Sequence, residues 1–205
     1  MRTRHLNIGR VFGSLVMLVL AGMFVIGCSD YTAPTASNAT SSEYADMWNP
    51  QPGETVDGYN IPFYVEGYWE SMYGNTVNPF VAVPPRTFRV GPDGAVIRFA
   101  THSLTIPRGA VDEYVMITLS NASVSAVAID CNPSPFHFNV PVTLTLSYSG
   151  TTYSNDTGAE APLAVIYMAP DGSLEELPST VDRAAQTVSA PTDHFSRYII
   201  GSYAL

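Results

Sequence analysis

The chain has 205 residues, of which nine are basic and eighteen acidic, and its formal charge at neutral pH is −9. Every basic residue is an arginine, because the sequence contains no lysine. A chain this acidic lacks the basic patch that binds phosphate backbones, so we expect no nucleic-acid partner and no electrostatic attraction to anionic lipid.

The first 27 residues have the layout of a secretory signal. Three arginines form a basic start, an uncharged apolar run extends over residues 11–26, and Gly27 precedes Cys28. This ending resembles the lipobox of bacterial lipoproteins, in which the cysteine receives lipid and becomes the new N-terminus. The alternative is an uncleaved transmembrane helix, since the run is near the minimum of about 17 residues that spans a bilayer. The small residue before the cysteine favours cleavage.

Lipid on Cys28 would decide where the protein resides. Without residues 1–27 the chain keeps six arginines and eighteen acidic residues, a net charge of −12, so we expect the lipid alone to be the anchor. Each buried methylene of an acyl chain contributes about 0.8 kcal/mol to membrane binding. An Asp directly after the lipidated cysteine resembles the inner-membrane retention signal of enteric bacteria. Ser29 stands there instead, which favours the outer membrane.

Residues 28–57 are predicted to be the lipidated cysteine and a disordered tether. They are rich in Ser, Thr, Ala, Asn, Pro and Gly and show no apolar periodicity. A flexible coil of this length has a root-mean-square reach of about 30 Å. The tether would hold a domain clear of a membrane surface.

Residues 58–85 are predicted to be an aromatic-rich extension, in which Gly and Pro argue against a long helix. One interpretation is that Tyr68, Trp69 and Tyr73 form a recognition surface for a glycan or a peptide. The other is that these rings pack on the domain that follows. We favour packing, because large aromatic side chains are mostly buried.

From residue 86 to residue 205 the sequence has the pattern of β-strands. Val142, Leu144 and Leu146 alternate with Thr143 and Thr145, which places one face of a strand in a core and the other in water. Further apolar runs predict strands at residues 96–99, 104–106, 115–119, 163–168 and 198–200.

Two Pro-Asp-Gly sequences predict tight turns between strands. They lie at Gly91-Pro92-Asp93-Gly94 and at Pro170-Asp171-Gly172, where Pro presets φ, Asp bonds to nearby backbone and Gly accepts a positive φ. Several short strands separated by such turns are typical of a sandwich. The expected fold class is therefore all-β, a single β-sandwich over residues 86–205.

Four segments of this region resemble the ZU5 domain. They are the turn at residues 91–94, Leu-Thr-Ile-Pro-Arg-Gly-Ala at 104–110, Phe-Asn-Val-Pro-Val-Thr-Leu at 138–144 and Asp-His-Phe-Ser-Arg-Tyr at 193–198. The resemblance extends over residues 88–203. It implies a β-sandwich used mainly for protein contacts.

Some ZU5 domains cleave themselves at a His-Phe-Ser site, and this chain has His194, Phe195 and Ser196. The resemblance implies that Ser196 Oγ attacks the Phe195 carbonyl carbon, assisted by His194, and that water hydrolyses the resulting ester. Alternatively, the tripeptide begins the last strand, with Phe195 in the core. Residues two apart on a regular strand are about 6.6 Å apart, too far for a bond between His194 and Ser196 unless the strand is kinked.

Other catalytic arrangements are not predicted. Asp193, His194 and Ser196 supply the residue types of a serine-hydrolase triad, but neighbours on a strand point to opposite faces. His102 and His137 are isolated, and we expect structural roles for them rather than metal binding. We therefore expect no enzyme beyond a single self-cleavage event.

No cofactor or metal motif stands out. Glu175 and Glu176 are adjacent, so on a strand they face opposite ways and form no paired carboxylate site. Weak calcium binding in a loop is the alternative to a solvated acidic surface. Cys131 lies in a loop-like Asp-Cys-Asn-Pro setting and is interpreted as a structural cysteine.

These patterns leave three hypotheses about function. The leading one is a lipid-anchored protein of the cell envelope whose β-sandwich has structural or protein-interaction roles, with an envelope protein as partner. The second is a self-cleaving module at Phe195-Ser196. The third is a glycan-binding surface lipoprotein that uses Tyr68, Trp69 and Tyr73.

Overall fold

The computed structural model describes residues 48–74, 83–155 and 162–203. The predicted signal segment, Cys28 and most of the predicted tether lie outside these residues. The described elements, in chain order, are β1 (Thr55–Val56), β2 (Tyr59–Asn60), α1 (Tyr68–Tyr73), β3 (Arg86–Val90), β4 (Ala95–Phe99), β5 (His102–Ile106), β6 (Val115–Asn121), β7 (Ala128–Asn132), β8 (His137–Ser147), β9 (Leu163–Met168), β10 (Leu174–Glu176), β11 (Thr180–Asp182), β12 (Thr187–His194) and β13 (Arg197–Tyr203).

The strands form two antiparallel sheets that pack together, which confirms the predicted all-β sandwich. The first sheet has the strand order β10-β9-β13-β7-β6-β3. One side of β13 pairs with β9, and the other side pairs first with β7 and then with β2. Strand β2 pairs in turn with β1. The second sheet runs β11-β12-β8-β5-β4. Consecutive strands β12 and β13 therefore belong to different sheets.

Alternation along the strands builds the main core between the sheets. On β8, Val142, Leu144 and Leu146 are at most 1% exposed, whereas Thr143 faces solvent. On β6, Ile117 and Leu119 are buried in the same core. The period of two places every second side chain on the core face, as the sequence predicts.

A second apolar cluster lies on the opposite face of the first sheet. Ile166 of β9 and Ile199 of β13 are fully buried there, under Ile61 and Phe63 from the N-terminal segment. This cover explains why β9 is a nearly continuous apolar run, because a strand buried on both faces needs no polar alternation.

The described end of the predicted tether packs on the sandwich. Trp48 packs against the second cluster, and Asn49 Oδ1 accepts hydrogen bonds from Ser123 Oγ at 3.2 Å and from Val124 N at 3.1 Å. Strands β1 and β2, which pair with each other, come shortly afterwards in the chain. Residues 48–57 thus differ from the free tether that their composition predicts. The reason is that the Trp48 ring and the Asn49 amide make specific contacts, which an average over composition does not take into account.

The turn before β4 requires glycine. Gly94 has φ +79°, and a Cβ at this position would lie 2.3 Å from the carbonyl oxygen of Ile106. The predicted turn at residues 91–94 is present between β3 and β4. At the other predicted turn, Asp171 accepts hydrogen bonds from the backbone and hydroxyl of Ser173, and these bonds lower the pKa of the Asp171 carboxyl.

Cys131 does not lie in a loop: it belongs to β7, where it is 1% exposed, since the strand continues through Asn132 before the proline-rich turn. Within residues 58–74 of the aromatic extension, which the structure describes, the one helix is α1, which is six residues long. No helix among the described residues has the length and apolarity needed to cross a membrane.

Candidate functional site

The His194-Phe195-Ser196 tripeptide lies where the chain passes from one sheet to the other. His194 is the last residue of β12, and β13 begins at Arg197, so Phe195 and Ser196 form the crossover. The expectation that the tripeptide begins the last strand is wrong in this detail. The physical reason is that β12 pairs with β8 whereas β13 pairs with β7 and β9, and the chain must change sheets between them.

Phe195 anchors this crossover in the core, as expected. Its ring is 2% exposed and packs against Phe136 and Phe138, with ring centroids 5.7 and 4.8 Å away. The Phe195 backbone N–H donates to the carbonyl oxygen of Phe136 at 2.9 Å. Ring packing and the backbone bond together hold the peptide group between Phe195 and Ser196 in place.

A hydroxyl from another segment reaches the Phe195 carbonyl. Ser134 Oγ donates a hydrogen bond to this carbonyl oxygen at 2.9 Å, although the two residues are 61 positions apart. A donor at this oxygen withdraws electron density from the carbonyl carbon and would stabilise negative charge that develops on the oxygen during nucleophilic attack. The sequence offers no signal that pairs Ser134 with Phe195.

The Ser196 hydroxyl has a main-chain partner. Its Oγ donates to the carbonyl oxygen of Met168 at 3.1 Å, and the Ser196 carbonyl oxygen accepts from Cys131 N at 2.9 Å. In the described part of the chain, no hydrogen bond joins Ser196 Oγ to His194. The nucleophile of the self-cleavage hypothesis is therefore next to its target carbonyl in sequence, but it is not bonded to a base.

His194 is oriented by its neighbour Asp193. The pairing of β12 with β8 shifts register between Thr192 and His194, and His194 Nδ1 lies 2.9 Å from Asp193 Oδ1. This hydrogen bond lowers the pKa of the Asp193 carboxyl. The expectation that adjacent residues 193 and 194 point apart is wrong here, because the irregular register breaks the alternation of a regular strand.

The ring of His194 lies against two others. It meets Tyr167 edge-on at a centroid distance of 4.7 Å and stands 5.9 Å from the ring of His137. A cavity of about 450 Å³ opens beside these rings, and Ser134 and Ser196 also line it. His194, Phe195 and Ser196 thus line one cavity, together with Ser134, which the sequence did not predict.

An ion pair closes the other side of the crossover. Arg197 Nε and Nη2 donate to the two carboxylate oxygens of Asp130, at 2.7 and 3.0 Å. The hydrogen bond with Asp130 raises the pKa of Arg197. Burial raises the pKa of the neighbouring Cys131 thiol, which favours the protonated and unreactive form.

The aromatic rings of the extension form a packed cluster and not an exposed surface. Tyr68 and Trp69 are each 8% exposed, and Trp69 Nε1 donates to the carbonyl oxygen of Val124 at 3.3 Å. Tyr73 is half-buried beside Trp69. The favoured expectation, that these rings pack on the domain, is confirmed for Tyr68 and Trp69. Their burial contradicts the alternative, an exposed recognition surface of Tyr68, Trp69 and Tyr73.

Tyr64 and Gly150 show how closely this cluster is packed. Tyr64 stacks on Tyr68 with ring centroids 4.8 Å apart. A Cβ added at Gly150 would come within 2.0 Å of the Tyr68 ring. Burial raises the pKa of the Tyr64 and Tyr68 hydroxyls, so these side chains are neutral packing residues.

Neither His102 nor His137 belongs to a group of metal-ligating side chains among the described residues. His102 is 3% exposed, and its Nδ1 accepts a hydrogen bond from Ser147 N at 3.1 Å, which is a structural role. His137 is exposed beside His194. Within residues 48–74, 83–155 and 162–203, no three or more His, Cys, Asp or Glu side chains group in a way that would hold a metal ion.

No protein-family model matches the chain, and no curated protein matches it significantly.

Proposed function

We propose that this chain is a lipid-anchored protein of the cell envelope, and that its β-sandwich has structural or protein-interaction roles. The observation that carries the proposal is the position of Cys28, directly after Gly27 and at the end of an apolar run that follows three arginines. The likeness of residues 88–203 to ZU5 domains supports the interaction role. Ser29 supports the outer membrane over the inner one.

Replacing Cys28 with Ser is expected to abolish lipid attachment. Cells that are grown with labelled palmitate and produce this chain should yield a labelled mature protein. Its intact mass should correspond to a chain that begins at residue 28. Cys28→Ser should carry no label and should not be processed, because no thiol is available for the diacylglyceryl group.

Cys131→Ala is the matched control, since it removes the other cysteine, which is buried in β7. This variant should retain the label. Label on Cys28→Ser, or a mature N-terminus other than residue 28, would contradict the proposal.

Self-cleavage between Phe195 and Ser196 is a second candidate function, and the hydrogen bond from Ser134 to the Phe195 carbonyl favours it. Ser196 Oγ would form a bond to the Phe195 carbonyl carbon as the peptide C–N bond breaks, and the hydroxyl proton would pass to the freed Ser196 amine. Water would then hydrolyse the ester, leaving a Phe195 carboxylate and a Ser196 hydroxyl. The reaction consumes one water and occurs once per chain.

Intact-mass spectrometry of the denatured mature protein tests this candidate. Self-cleavage predicts two fragments, the shorter beginning at Ser196, and Ser196→Ala should give one unbroken chain. Ser134→Ala should slow the cleavage by about 100-fold, the effect of losing one oxyanion donor. A wild-type protein of a single unbroken mass after prolonged incubation would rule the candidate out.

A further inference from the structure

One edge of the sandwich is basic in an otherwise acidic chain. Strands β3 and β4 are the edge strands of the two sheets, and each pairs with one described strand only. With their connecting turn they span residues 86–99, which we name the basic edge. It contains Arg86, Arg89 and Arg98, all exposed, against a single acid, Asp93.

The charges of the basic edge are available to a partner. Arg89 lies over the ring of Tyr114, with its guanidinium carbon 3.6 Å from the ring centroid, in a cation–π contact. Asp93 is opposite Arg108 at 3.8 Å. Val96 on β4 is 61% exposed, so the edge also presents an apolar side chain between its cations.

The opposite edge of the sandwich is acidic. Strands β10 and β11 end the same two sheets on the far side, again with one described neighbour each. Residues 174–182, which we name the acidic edge, contain Glu175, Glu176 and Asp182, all exposed, and no cation. The next cation, Arg183, lies in the turn that leads into β12.

We propose that the basic edge of one copy binds the acidic edge of a second copy of this chain, so that the molecules associate head to tail. Unlike edges attract, whereas two basic or two acidic edges repel, and like-charge contacts across an interface cost several kcal/mol. Among the described residues, the outer side of each edge strand has no strand partner, and such a side adds to another sheet through backbone hydrogen bonds. Charge therefore favours the contact between a basic edge and an acidic edge. This contact would extend both sheets of the sandwich, because each edge contains one strand of each sheet.

This contact is heterologous, because different surfaces of the two copies meet. Such a contact leaves a free edge of each type at the ends and builds an open row unless the rotation closes a ring. The inference rests on the proposed function, since lipid anchors would hold all copies in one orientation on a membrane and raise their local concentration. The row would then lie in the plane of the membrane.

Charge reversal of each edge tests the proposal. In one variant the three arginines of the basic edge become Glu, and in a second the three acids of the acidic edge become Arg. Each variant carries two edges of the same sign, so its self-association constant should fall by about tenfold or more. A third variant with both edges reversed restores complementarity and should associate like the wild type, which shows that the single variants did not fail by misfolding.

The measurement is sedimentation velocity of the full lipidated protein in neutral detergent, with chemical crosslinking in intact membranes. Wild-type association should weaken as salt concentration rises, because exposed charges are screened. A mixture of the two single-edge variants should associate although neither does alone. These results support the proposal.

A wild type that stays monomeric in detergent and in membranes would overturn it, even if the basic edge captured an acidic protein of another kind. Single-edge reversal variants that associate like the wild type would also overturn it. The lipid on Cys28 is measured by mass in the same samples. Failure of self-association is thereby distinguished from failure of the anchor.

Discussion

Phe195→Ala is expected to lower the free energy of unfolding by about 3–5 kcal/mol, the range for removing a buried phenylalanine ring. The ring is 2% exposed and contacts the rings of Phe136 and Phe138. Its loss leaves a cavity in a close-packed interior, at the point where the chain passes between the sheets. Chemical denaturation of the mature protein should show a lower midpoint.

Met116→Ala is the control for this substitution. Met116 is on β6 and is 57% exposed, so its truncation should change the free energy of unfolding by no more than about 0.5 kcal/mol. Equal effects of the two substitutions would contradict the assignment of Phe195 to the core.

His102 is expected to make the fold sensitive to mild acid. Burial lowers the pKa of this side chain from 6.5 to about 4, and its Nδ1 accepts the Ser147 N–H in the neutral form. Below pH 6.5 the unfolded chain binds a proton at this histidine that the native state does not bind until about pH 4. The free energy of unfolding should therefore fall over this window, by about 3 kcal/mol in total at 1.36 kcal/mol per pKa unit.

Denaturation at a series of pH values, for the wild type and for His102→Asn, measures this contribution. Asn places an amide oxygen near the position of Nδ1 and does not titrate between pH 4 and 7. The variant should lose some stability at all pH values, since it lacks the ring, but its slope between pH 6.5 and 4 should be smaller than that of the wild type. The same slope in both proteins would contradict the assignment.

Six of the thirteen described strands were predictable from the sequence. The run at residues 163–168 coincides with β9, and the alternation from Val142 to Leu146 lies within β8. The packing of the aromatic extension was also predictable, because rings such as Trp69 rarely remain exposed. Both inferences use the chemistry of single residues or near neighbours, which the sequence contains directly.

The crossover at Phe195 and Ser196 was not predictable in the same way. The tripeptide itself was visible, but the change of sheet depends on which strands β12 and β13 pair with. Ser134 enters only because the turn after β7 lies over the same carbonyl. The opposite signs of the two edges could have been found by counting charges strand by strand, but their position at the ends of the sheets depends on strand order.

The sequence by itself therefore determined the all-β class, the positions of six strands and the Pro-Asp-Gly turns, because side-chain alternation and a positive φ at residues such as Gly94 are local properties. The tertiary structure alone decided which residues meet at the crossover, which face of β9 the N-terminal segment covers, and which charges lie at opposite edges. These features join residues far apart in the chain. They follow from strand order and register, which depend on the packing of the whole domain.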